Sequence, residues 1–407
     1  MTPERLAEQL KSWALAEGFD LAGVARVEES GQGEALLAWL ERGDEAGMGW
    51  MGRGVERRLD PGRVLPGARS VLCVGLRYHP LMGEDGGVEA VEGDLWPRVA
   101  RYARGRDYHE VMGRGLRRLE VRVAEAFPGV GTRRYVDTGP LLERELAARA
   151  GLGVQGKNTN LLSREAGSWF LLGELLLTLD LAPDPPVADL CGRCTRCLDL
   201  CPTGALPEPY RLDANRCISY WTIEHRGDLP PEARELIGEW VFGCDVCQEV
   251  CPWNLRGDHR DERRPADHPE LRPPPERRDL DLAGLLLLGR EDYVHRFRGS
   301  PMKRARQEGL QRNAAVVMGN RRDPRSVQPL TEALTTGAPS VRRHAAWALG
   351  RIGTPQARHA LETALDQEDD DSVKEAISAA LPFGRGAGAG AGGSEPAAAD
   401  ARPSEPG

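Results

Sequence analysis

The chain has 407 residues, of which 40% are hydrophobic, and its formal net charge is −8 at pH 7. A chain of this length can bury a substantial core and is long enough for two or three domains. The negative net charge excludes a protein that binds polyanions over its whole surface.

The N-terminal region shows helices that alternate with apolar strands. Thr2-Pro3 begins a predicted helix that ends at Gly18. Strands are predicted over residues 19–27, 71–78, 133–136 and 169–182, and a further helix over 141–150. The alternation predicts an α/β domain over residues 1–185.

We expect neither an export signal nor a membrane span in this region. Residues 1–10 are polar and charged, and the apolar stretch 169–182 is shorter than the roughly 20 residues that a membrane span needs. We therefore expect a soluble cytoplasmic protein that needs no membrane. In that compartment clustered cysteines act as metal ligands rather than disulfides.

Eight of the nine cysteines follow a ferredoxin pattern. Cys191-x2-Cys194-x2-Cys197-x3-Cys201-Pro202 is the run of bacterial two-cluster ferredoxins, in which the fourth cysteine binds the other cluster. Cys244-x2-Cys247-x3-Cys251-Pro252 supplies three more, and Cys217 lies between the two runs. The spacing predicts two [4Fe–4S] clusters, one held by Cys191, Cys194, Cys197 and Cys251, the other by Cys201, Cys217, Cys244 and Cys247.

The alternative is a pair of zinc sites, but these usually show paired C-x2-C knuckles. We expect a ferredoxin-like domain over residues 186–260. Cys73 stands alone in an apolar strand and is interpreted as a core thiol.

The C-terminal third contains a repeat of 31 residues. Ala314, Ala315 and Gly319 recur as Ala345, Ala346 and Gly350, and Ala376 follows at the same interval. Small residues at a fixed spacing predict two-helix units that stack as a HEAT-like solenoid. We place an exposed linker over 256–278, the linker and repeats together over 261–383, and a disordered Gly/Ala-rich tail over 384–407.

Residues 301–360 are basic, with eleven Lys and Arg against three acidic residues. Such a stretch can track RNA phosphates, although a solvated helical face gives the same composition. The candidate RNA contacts are Lys303, Arg304, Arg306, Arg312, Arg321, Arg322 and Arg325.

Several segments outside the cysteine spacing resemble the epoxyqueuosine reductase family. They include Cys217–Glu224, Gly243–Gln248 and Cys251–Asn254. Gly105–His109, Asp137–Pro140 and Gly156–Thr159 are similar to the same family. The resemblance runs in order from about residue 5 to residue 380 and includes all eight ligand cysteines.

The resemblance implies an enzyme that reduces epoxyqueuosine to queuosine at the wobble position of tRNA, the last step of queuosine biosynthesis. The implied cofactors are cobalamin and two [4Fe–4S] clusters. The implied partners are the anticodon stem–loop of tRNAs with GUN anticodons and an unidentified electron donor. We expect the protein to act as a monomer on RNA.

The acid of this family is the aspartate of an Asp-Thr-Ala-Pro motif, which falls on Asp137, and Gly139 replaces the alanine. A carboxyl group can protonate the epoxide oxygen if desolvation raises its pKa. The competing interpretation is that Asp137 caps the helix that begins near Pro140.

Corrin contacts follow from the resemblance alone. The candidates are Arg58, Tyr102, Asp137, Lys157, Asn158, Ser219 and Glu224. His109 is interpreted as a structural or hydrogen-bonding histidine rather than a cobalt ligand. Two other functions stay open at this point: a corrinoid iron–sulfur reductase of small molecules, similar to reductive dehalogenases, and an electron-transfer adaptor without catalysis.

Overall fold

The structure is a computed structural model that describes residues 1–78, 98–255, 268–272, 274 and 281–381. The predicted tail 384–407, and the predicted linker apart from 268–272 and 274, lie outside the described residues. The strands are β1 Leu21–Arg26, β2 Ser70–Arg77, β3 Arg98–Val99, β4 Thr132–Tyr135, β5 Val154–Gln155, β6 Leu161–Leu162, β7 Phe170–Leu177 and β8 Trp240–Phe242.

The helices cover both the N-terminal and the C-terminal regions. The first ten are α1 Pro3–Ala16, α2 Gly33–Glu41, α3 Val55–Leu59, α4 Tyr108–Ala126, α5 Glu143–Arg149, α6 Arg196–Asp199, α7 Ile218–Ile223, α8 Pro231–Leu236, α9 Val246–Glu249 and α10 Pro252–Leu255. They are followed by α11 Leu282–Leu286, α12 Arg290–Arg296, α13 Arg306–Arg321, α14 Val327–Thr336, α15 Pro339–Ile352, α16 Pro355–Gln367 and α17 Asp371–Ala380.

A four-stranded sheet with the order β1-β2-β7-β4 forms the centre of the N-terminal region, and all its strands pair antiparallel. The predicted strands and helices are present. One face of the sheet packs on α1 and α4 through Leu10, Leu72 and Leu116. The other face packs on α5 and contains the fully buried Cys73, as expected for a core thiol.

The cysteine-rich region folds as short helices against the sheet domain. Strand β8 pairs in parallel with β3, which ties residues 240–242 to the N-terminal region. Trp221, Ile237 and Trp240 form a small core beside the cysteines. No helix among the described residues is long and apolar enough to cross a membrane.

The helices α13 to α17 pack through the small residues of the repeat. A Cβ atom at Gly319 would lie 2.9 Å from Ala348 Cα, and one at Gly350 would lie 2.7 Å from the Ala380 carbonyl oxygen. Since real Cβ atoms do not approach so closely, glycine allows α13, α15 and α17 to pack side by side. The prediction that small residues line the packing seam agrees with this arrangement.

Arg312 does not face RNA, and that prediction is wrong. Its side chain is buried on α13, with 2% exposed. The guanidinium donates to the carbonyl oxygens of Trp221, His225 and Gly227 at 2.9, 3.2 and 2.7 Å. A buried arginine needs such partners because an unpaired charge in the interior is costly. Arg312 therefore joins the repeat to the end of α7.

Candidate active site and cysteine groups

Asp137 lies in the turn that follows the edge strand β4. Its φ of +58° is left-handed, a conformation that non-glycine residues adopt at a cost. The Thr138 N–H donates to the Val136 carbonyl at 2.6 Å and tightens the turn. The residue before α5 is Leu142, and no side chain caps this helix. Asp137 is thus not a helix cap, and its side chain is 61% exposed.

Two residues at the start of α4 hold the Asp137 carboxylate. Tyr108 donates its hydroxyl to Asp137 Oδ2 at 3.1 Å. His109 Nε2 forms an ion pair with the same oxygen at 3.4 Å, and His109 Nδ1 lies 2.7 Å from Asp107 Oδ1. The Tyr108 and His109 rings stack with centroids 4.1 Å apart. His109 is accordingly a hydrogen-bonding residue between two carboxylates.

The carboxylates of Asp107 and Asp137 favour the protonated form of His109. Burial alone would lower the pKa of His109, but the bonds and charges of Asp107 and Asp137 raise it to about 9. The contact with His109 lowers the pKa of Asp137, and this effect exceeds the opposing effect of burial. Desolvation therefore does not set the pKa of Asp137, because a cation that the sequence did not reveal lies beside the carboxyl.

Tyr102 and Glu224 lie around Asp137. The Tyr102 ring packs edge-on against Tyr108 at 5.9 Å, and the nearby charges of Asp137 and Glu224 add to burial in raising the pKa of Tyr102. Glu224 accepts from Arg304 at 2.8 and 3.0 Å. This group joins α4, the end of α7 and the segment before α13.

Arg58 approaches the same region from α3. Its buried Nε atom has no hydrogen-bond partner among the described residues, and its charge interacts with Glu143 on α5. The structure therefore brings four of the candidate corrin contacts together: Arg58, Tyr102, Asp137 and Glu224.

Lys157 and Asn158 are engaged elsewhere. The Lys157 ammonium donates to the carbonyl oxygens of Gly192 and Cys194 at 2.8 and 3.0 Å. Asn158 donates to the Cys247 carbonyl at 3.1 Å. Their side chains thus support the cysteine loops, a role that the sequence did not reveal. Ser219 lies in the first turn of α7, where its N–H interacts with the Cys217 thiol.

The eight cysteines form two groups in space. Cys197 interacts electrostatically with Cys191, Cys194 and Cys251, although 54 residues separate Cys197 from Cys251. Cys244 interacts with Cys201 and Cys217, and Cys247 interacts with Cys244 and Cys217. Within each group these neighbours match the sets of four that the spacing suggests, and Cys247 also interacts with Cys197 of the other group.

No three or more His, Cys, Asp or Glu side chains within the described ranges are arranged to hold a single metal ion. Asn160 Nδ2 lies 3.8 Å from Cys247 Sγ, and Trp253 donates its indole N–H to the Leu190 carbonyl at 2.7 Å. Polar side chains from the sheet domain and from the second cysteine run therefore brace both groups.

The basic residues of the repeat fall into two sets rather than one groove. The first set, Lys303, Arg304 and Arg306, is exposed and lies near the candidate active site. The charge of Lys303 interacts with Asp107, and the charge of Arg304 interacts with Asp137. Arg321 and Arg322 lie at the other end of α13, roughly 22 Å away at 1.5 Å per residue.

The second set is partly neutralised. Arg321 pairs with Glu239 at 3.2 Å, and Arg325 pairs with Asp323 at 2.6 Å. Arg322 is exposed at the end of α13. Only the first set combines exposure with proximity to Asp137.

Sequence reasoning missed two residues of this region. Trp50 is partly exposed, and the Arg304 guanidinium lies 5.9 Å from its ring centroid. Tyr108 was recognised only as part of a motif. A tryptophan between glycines, in the segment Gly47–Gly52, is a signal that could have identified an exposed aromatic contact.

The neighbouring Tyr135 ring explains why position 139 is a glycine in this chain. A Cβ atom there would lie 2.5 Å from the Tyr135 ring. An alanine would require the ring to move. The glycine that replaces the alanine of Asp-Thr-Ala-Pro therefore leaves room for the Tyr135 ring, and the motif keeps its aspartate, Asp137.

Comparisons with known proteins give three matching family models. One described as epoxyqueuosine reductase QueG, DUF1730, matches residues 58–138. One for a 4Fe-4S double cluster binding domain matches residues 190–254, and one for HEAT repeats matches residues 302–382. The 4Fe-4S model favours iron–sulfur clusters over zinc sites. The HEAT model confirms the predicted repeat.

Among curated relatives, the epoxyqueuosine reductase of Pseudomonas aeruginosa is 42% identical over 357 residues, which are 86% of this chain and 96% of the relative. A crystal structure of an epoxyqueuosine reductase with an epoxyqueuosine-modified tRNA-Tyr stem loop is 33% identical, has a TM-score of 0.86 and covers 94% of this chain and 100% of that one.

A second structure, the Bacillus subtilis epoxyqueuosine reductase, is 32% identical with a TM-score of 0.84, and it covers 94% of this chain and 100% of that one. In it the loop that carries the catalytic aspartate is swung out of the active site.

Lys157→Met should loosen the loop that carries Cys191 and Cys194, since it removes two charge-assisted hydrogen bonds worth roughly 1.5–3 kcal/mol each. We expect severalfold faster loss of cluster absorbance when an iron chelator is added. Lys374→Met is the control, because among the described residues that ammonium contacts only Asp371, at 3.9 Å. If Lys157→Met keeps its clusters intact but binds corrinoid more weakly, Lys157 is instead a corrin contact.

Proposed function

Because the chain belongs to the epoxyqueuosine reductase family, we propose that it reduces epoxyqueuosine to queuosine at the wobble position of tRNA, with Asp137 as the proton donor. This reaction is the last step of queuosine biosynthesis. Membership rests on the relative that is 42% identical over 86% of the chain. The observation that carries the role of Asp137 is its exposed carboxylate, held by Tyr108 and His109 in a strained turn.

The family membership favours this function over the two alternatives. A reductase of small molecules would leave the HEAT repeats and the basic set beside Asp137 without a purpose. A mere electron-transfer adaptor would not need a carboxylate with a protonated histidine at its side. The tRNA stem loop bound to a structural neighbour supports RNA as the substrate.

The reaction consumes two electrons and two protons. Removal of the epoxide oxygen converts the three-membered ring into a carbon–carbon double bond and releases water. The oxygen leaves readily only when it is protonated, so the site needs an acid beside the reacting carbon atoms. The electrons come from an external donor, which we leave unidentified.

The two cysteine groups fit two [4Fe–4S] clusters. We assign Cys191, Cys194, Cys197 and Cys251 to one cluster, and Cys201, Cys217, Cys244 and Cys247 to the other. The electrostatic neighbours of the thiols support this assignment. The first group draws on two segments of the chain and the second on three, so the clusters stabilise the fold of residues 190–254.

Cobalamin is the second cofactor that the family implies, and the polar groups near Asp137 fit it. The corrin ring carries carboxamide side chains, which both donate and accept hydrogen bonds. Arg58 Nε is buried and has no hydrogen-bond partner among the described residues. We propose that Arg58, Tyr102 and Glu224 contact the corrin. When bound and reduced, cobalamin supplies the two-electron reductant for the epoxide.

The protein supplies the proton through a short chain of groups. At neutral pH the proton of the Asp137–His109 pair sits on His109, which Asp107 orients through Nδ1. Asp137 lies between this imidazolium and the exposed side of the site. We propose that the proton passes from His109 through the Asp137 carboxyl to the epoxide oxygen, and that Tyr108 fixes the carboxyl in place.

The RNA surface combines charge with an aromatic ring. Lys303, Arg304 and Arg306 are exposed, Arg304 interacts with Asp137, and Trp50 lies beside Arg304. Bases that leave the anticodon stack pack readily on aromatic rings and arginine planes. We propose that Arg304 and Trp50 hold the nucleotides around the wobble base. We also propose that the protein works in the cytoplasm, as a monomer on RNA.

The test of the function is a reaction with defined RNA. Protein purified without oxygen is given cobalamin, a chemical reductant and an anticodon stem–loop with epoxyqueuosine. Nucleoside mass spectrometry should then find the loss of one oxygen, only when cobalamin is present. Asp137→Asn should retain clusters and corrinoid but lower turnover by on the order of 10²–10⁴-fold.

Asp371→Asn, an exposed residue of the last helix, is the matched control and should react like the unaltered protein. Undiminished turnover of Asp137→Asn would remove Asp137 as the donor. No reaction at all with intact cofactors would defeat the assignment to tRNA.

The pH dependence of kcat/KM tests the position of the proton. Since the pKa of His109 is raised to about 9, activity should hold at lower pH and fall as the pH rises through about 9. In His109→Gln the carboxyl must carry the proton alone, so the fall should move to lower pH. His359→Gln, an exposed histidine of the repeat, is the control. A fall that stays near pH 9 in His109→Gln would contradict the chain of proton transfer.

The RNA surface predicts a specific salt dependence. Arg304→Glu with Arg306→Glu should weaken binding of the stem–loop and reduce the slope of log K against log salt by roughly two, about one per lost phosphate contact. Arg321→Glu with Arg322→Glu, at the far end of α13, is the matched pair and should leave the slope unchanged.

Trp50→Ala should weaken binding without a change in slope, because stacking releases no counterions. Equal effects of the two charge-reversed pairs would mean that RNA follows the whole of α13.

A further inference from the structure

The loop that carries the first three cysteines lies open at the protein surface. All four residues that separate the cysteines between Cys191 and Cys197 are exposed. Of the two residues between Cys244 and Cys247, one is buried and the other half-buried. The first cysteine run is therefore the accessible point of entry for electrons.

The second cysteine run faces the candidate active site instead. Asp245, next to a cysteine of this run, accepts from the Arg101 backbone N–H at 2.8 Å. The following residue, Tyr102, packs edge-on against Tyr108, which donates its hydroxyl to Asp137. The two runs thus define a direction, from the exposed first run through the second run to the site of the proposed reaction.

Two arginines of the exposed run have no counter-charge. The side chains of Arg193 and Arg196 are exposed and form neither an ion pair nor a hydrogen bond with any described residue. The nearby carboxylates bind the loop itself: Asp189 accepts two of its backbone N–H groups at 2.9 and 3.0 Å, and Asp199 accepts from the Thr195 hydroxyl at 2.8 Å. In a chain with a net charge of −8, these unpaired cations form a local positive patch.

A third exposed arginine borders the same cysteines. The Arg164 guanidinium lies 5.8 Å from the ring centroid of Trp253, whose indole N–H donates to the Leu190 carbonyl at 2.7 Å. Leu190 and Cys251 belong to one apolar cluster, against which Cys191 and Trp253 pack. Arg164 therefore adds to the positive charge around the first cysteine group.

An exposed aromatic ring adjoins this basic patch. Tyr210 is 49% exposed, and its φ of +67° is left-handed, a conformation that bulky residues adopt at a cost. Its backbone N–H donates to the Lys157 carbonyl at 3.0 Å, and the Lys157 ammonium donates to the Gly192 carbonyl. Leu200, also 49% exposed, follows the short helix α6 that begins at Arg196. Tyrosine and arginine are the residues on which binding energy concentrates at protein interfaces.

We propose that a small acidic protein that carries one electron docks on this surface and is the electron donor of the proposed reaction. The donor surface consists of Arg164, Arg193, Arg196, Leu200 and Tyr210. The net negative charge of the chain repels an acidic carrier elsewhere, whereas the unpaired arginines attract it here. Interfaces of electron-transfer proteins are small and weak, so a patch of this kind is sufficient.

The electrons of the proposed reaction balance with two docking events. Iron–sulfur clusters take up electrons singly, so two reduced carriers dock in turn and each leaves oxidised by one electron. The two electrons and two protons convert the epoxide into a carbon–carbon double bond and water. The inference rests on the proposed function for the fate of these electrons, but docking can be measured without RNA.

The test uses cluster-containing protein and flavodoxin, an acidic flavin protein whose hydroquinone becomes a blue semiquinone when it gives up one electron. Calorimetry measures the binding of oxidised flavodoxin, and stopped-flow absorbance follows the semiquinone, both over a range of salt concentrations. Arg193→Glu with Arg196→Glu should weaken binding and slow semiquinone formation by roughly tenfold at low salt, with a smaller dependence on salt. Arg193→Lys with Arg196→Lys retains the charge and should keep most of the rate.

Arg5→Glu with Arg117→Glu is the matched control for charge. These two arginines are exposed on α1 and α4, and their side chains form no ion pair with described residues. Both helices cover one face of the sheet, whereas the β5–β6 hairpin beside the first cysteine group packs on the other face with α5. Binding and rate should therefore stay unchanged in the control.

Tyr210→Asn tests the aromatic contact separately from charge. Asparagine tolerates the left-handed backbone, so the loop keeps its conformation while the ring is removed. Binding of flavodoxin should weaken without a change in its salt dependence. Unchanged binding would remove Tyr210 from the donor surface.

A neutral reductant separates docking from an effect of the arginines on the clusters. The photochemically generated deazariboflavin radical is uncharged and needs no docking surface, so it should reduce the clusters of Arg193→Glu with Arg196→Glu at the unaltered rate. Equal slowing with both reductants would overturn the proposal, as would equal effects of the two charge-reversed pairs or no binding of flavodoxin to the unaltered protein at low salt. A reduced salt slope for the anticodon stem–loop in this variant would assign the surface to RNA and equally overturn it.

Failure of the docking surface and failure of the proposed function give different results. If flavodoxin docks as expected but epoxyqueuosine in RNA keeps its oxygen with a chemical reductant, the donor surface stands and the proposed function fails. If the RNA reacts with a chemical reductant while charge reversal leaves flavodoxin binding unchanged, only the donor surface fails.

Discussion

The double cluster binding domain constrains how residues 190–254 fold. In the proposed assignment, Cys251 returns to the loop of Cys191 to Cys197, and Cys201 joins Cys244 and Cys247. Neither group can form from a single segment, so the clusters and the fold of residues 190–254 depend on each other. Lys157 and Asn158 extend this dependence to the sheet domain, because their side chains hold the backbone of both cysteine runs.

The antiparallel sheet positions one residue with a strained backbone, Asp137. Its edge strand ends at Tyr135, and Asp137 follows between the first turns of α4 and α5. Tyr108 and His109 come from α4 and hold the Asp137 carboxylate. The left-handed backbone of Asp137 persists because these contacts and the packing of the sheet on both its faces offset its cost.

The repeat domain is fastened to the cysteine-rich region by a buried polar contact. Arg312 donates to three carbonyl oxygens at the end of α7, and Asn313 donates to the carbonyls of Thr222 and Val241. These bonds fix the start of α13 next to the candidate active site. The exposed arginines just before and at the start of α13 thereby come to lie beside Asp137, whereas those at its other end point to a different part of the surface.

The sequence by itself determined the elements that depend on local pattern: the strands and helices of the first region, the two cysteine runs, the 31-residue repeat and the aspartate of the motif. The strands, helices, cysteine runs and repeat follow from spacing and periodicity, which are properties of the chain alone, whereas the aspartate was singled out by the family resemblance. Only the tertiary structure decided which charges are near one another. It put a histidine cation beside Asp137 and so lowered the pKa of that carboxyl, buried Arg312 among carbonyl oxygens, and turned Lys157 towards the cysteine loops. Charge and burial depend on neighbours that are distant in sequence, such as Arg312 and Trp221, and no local pattern encodes those distances.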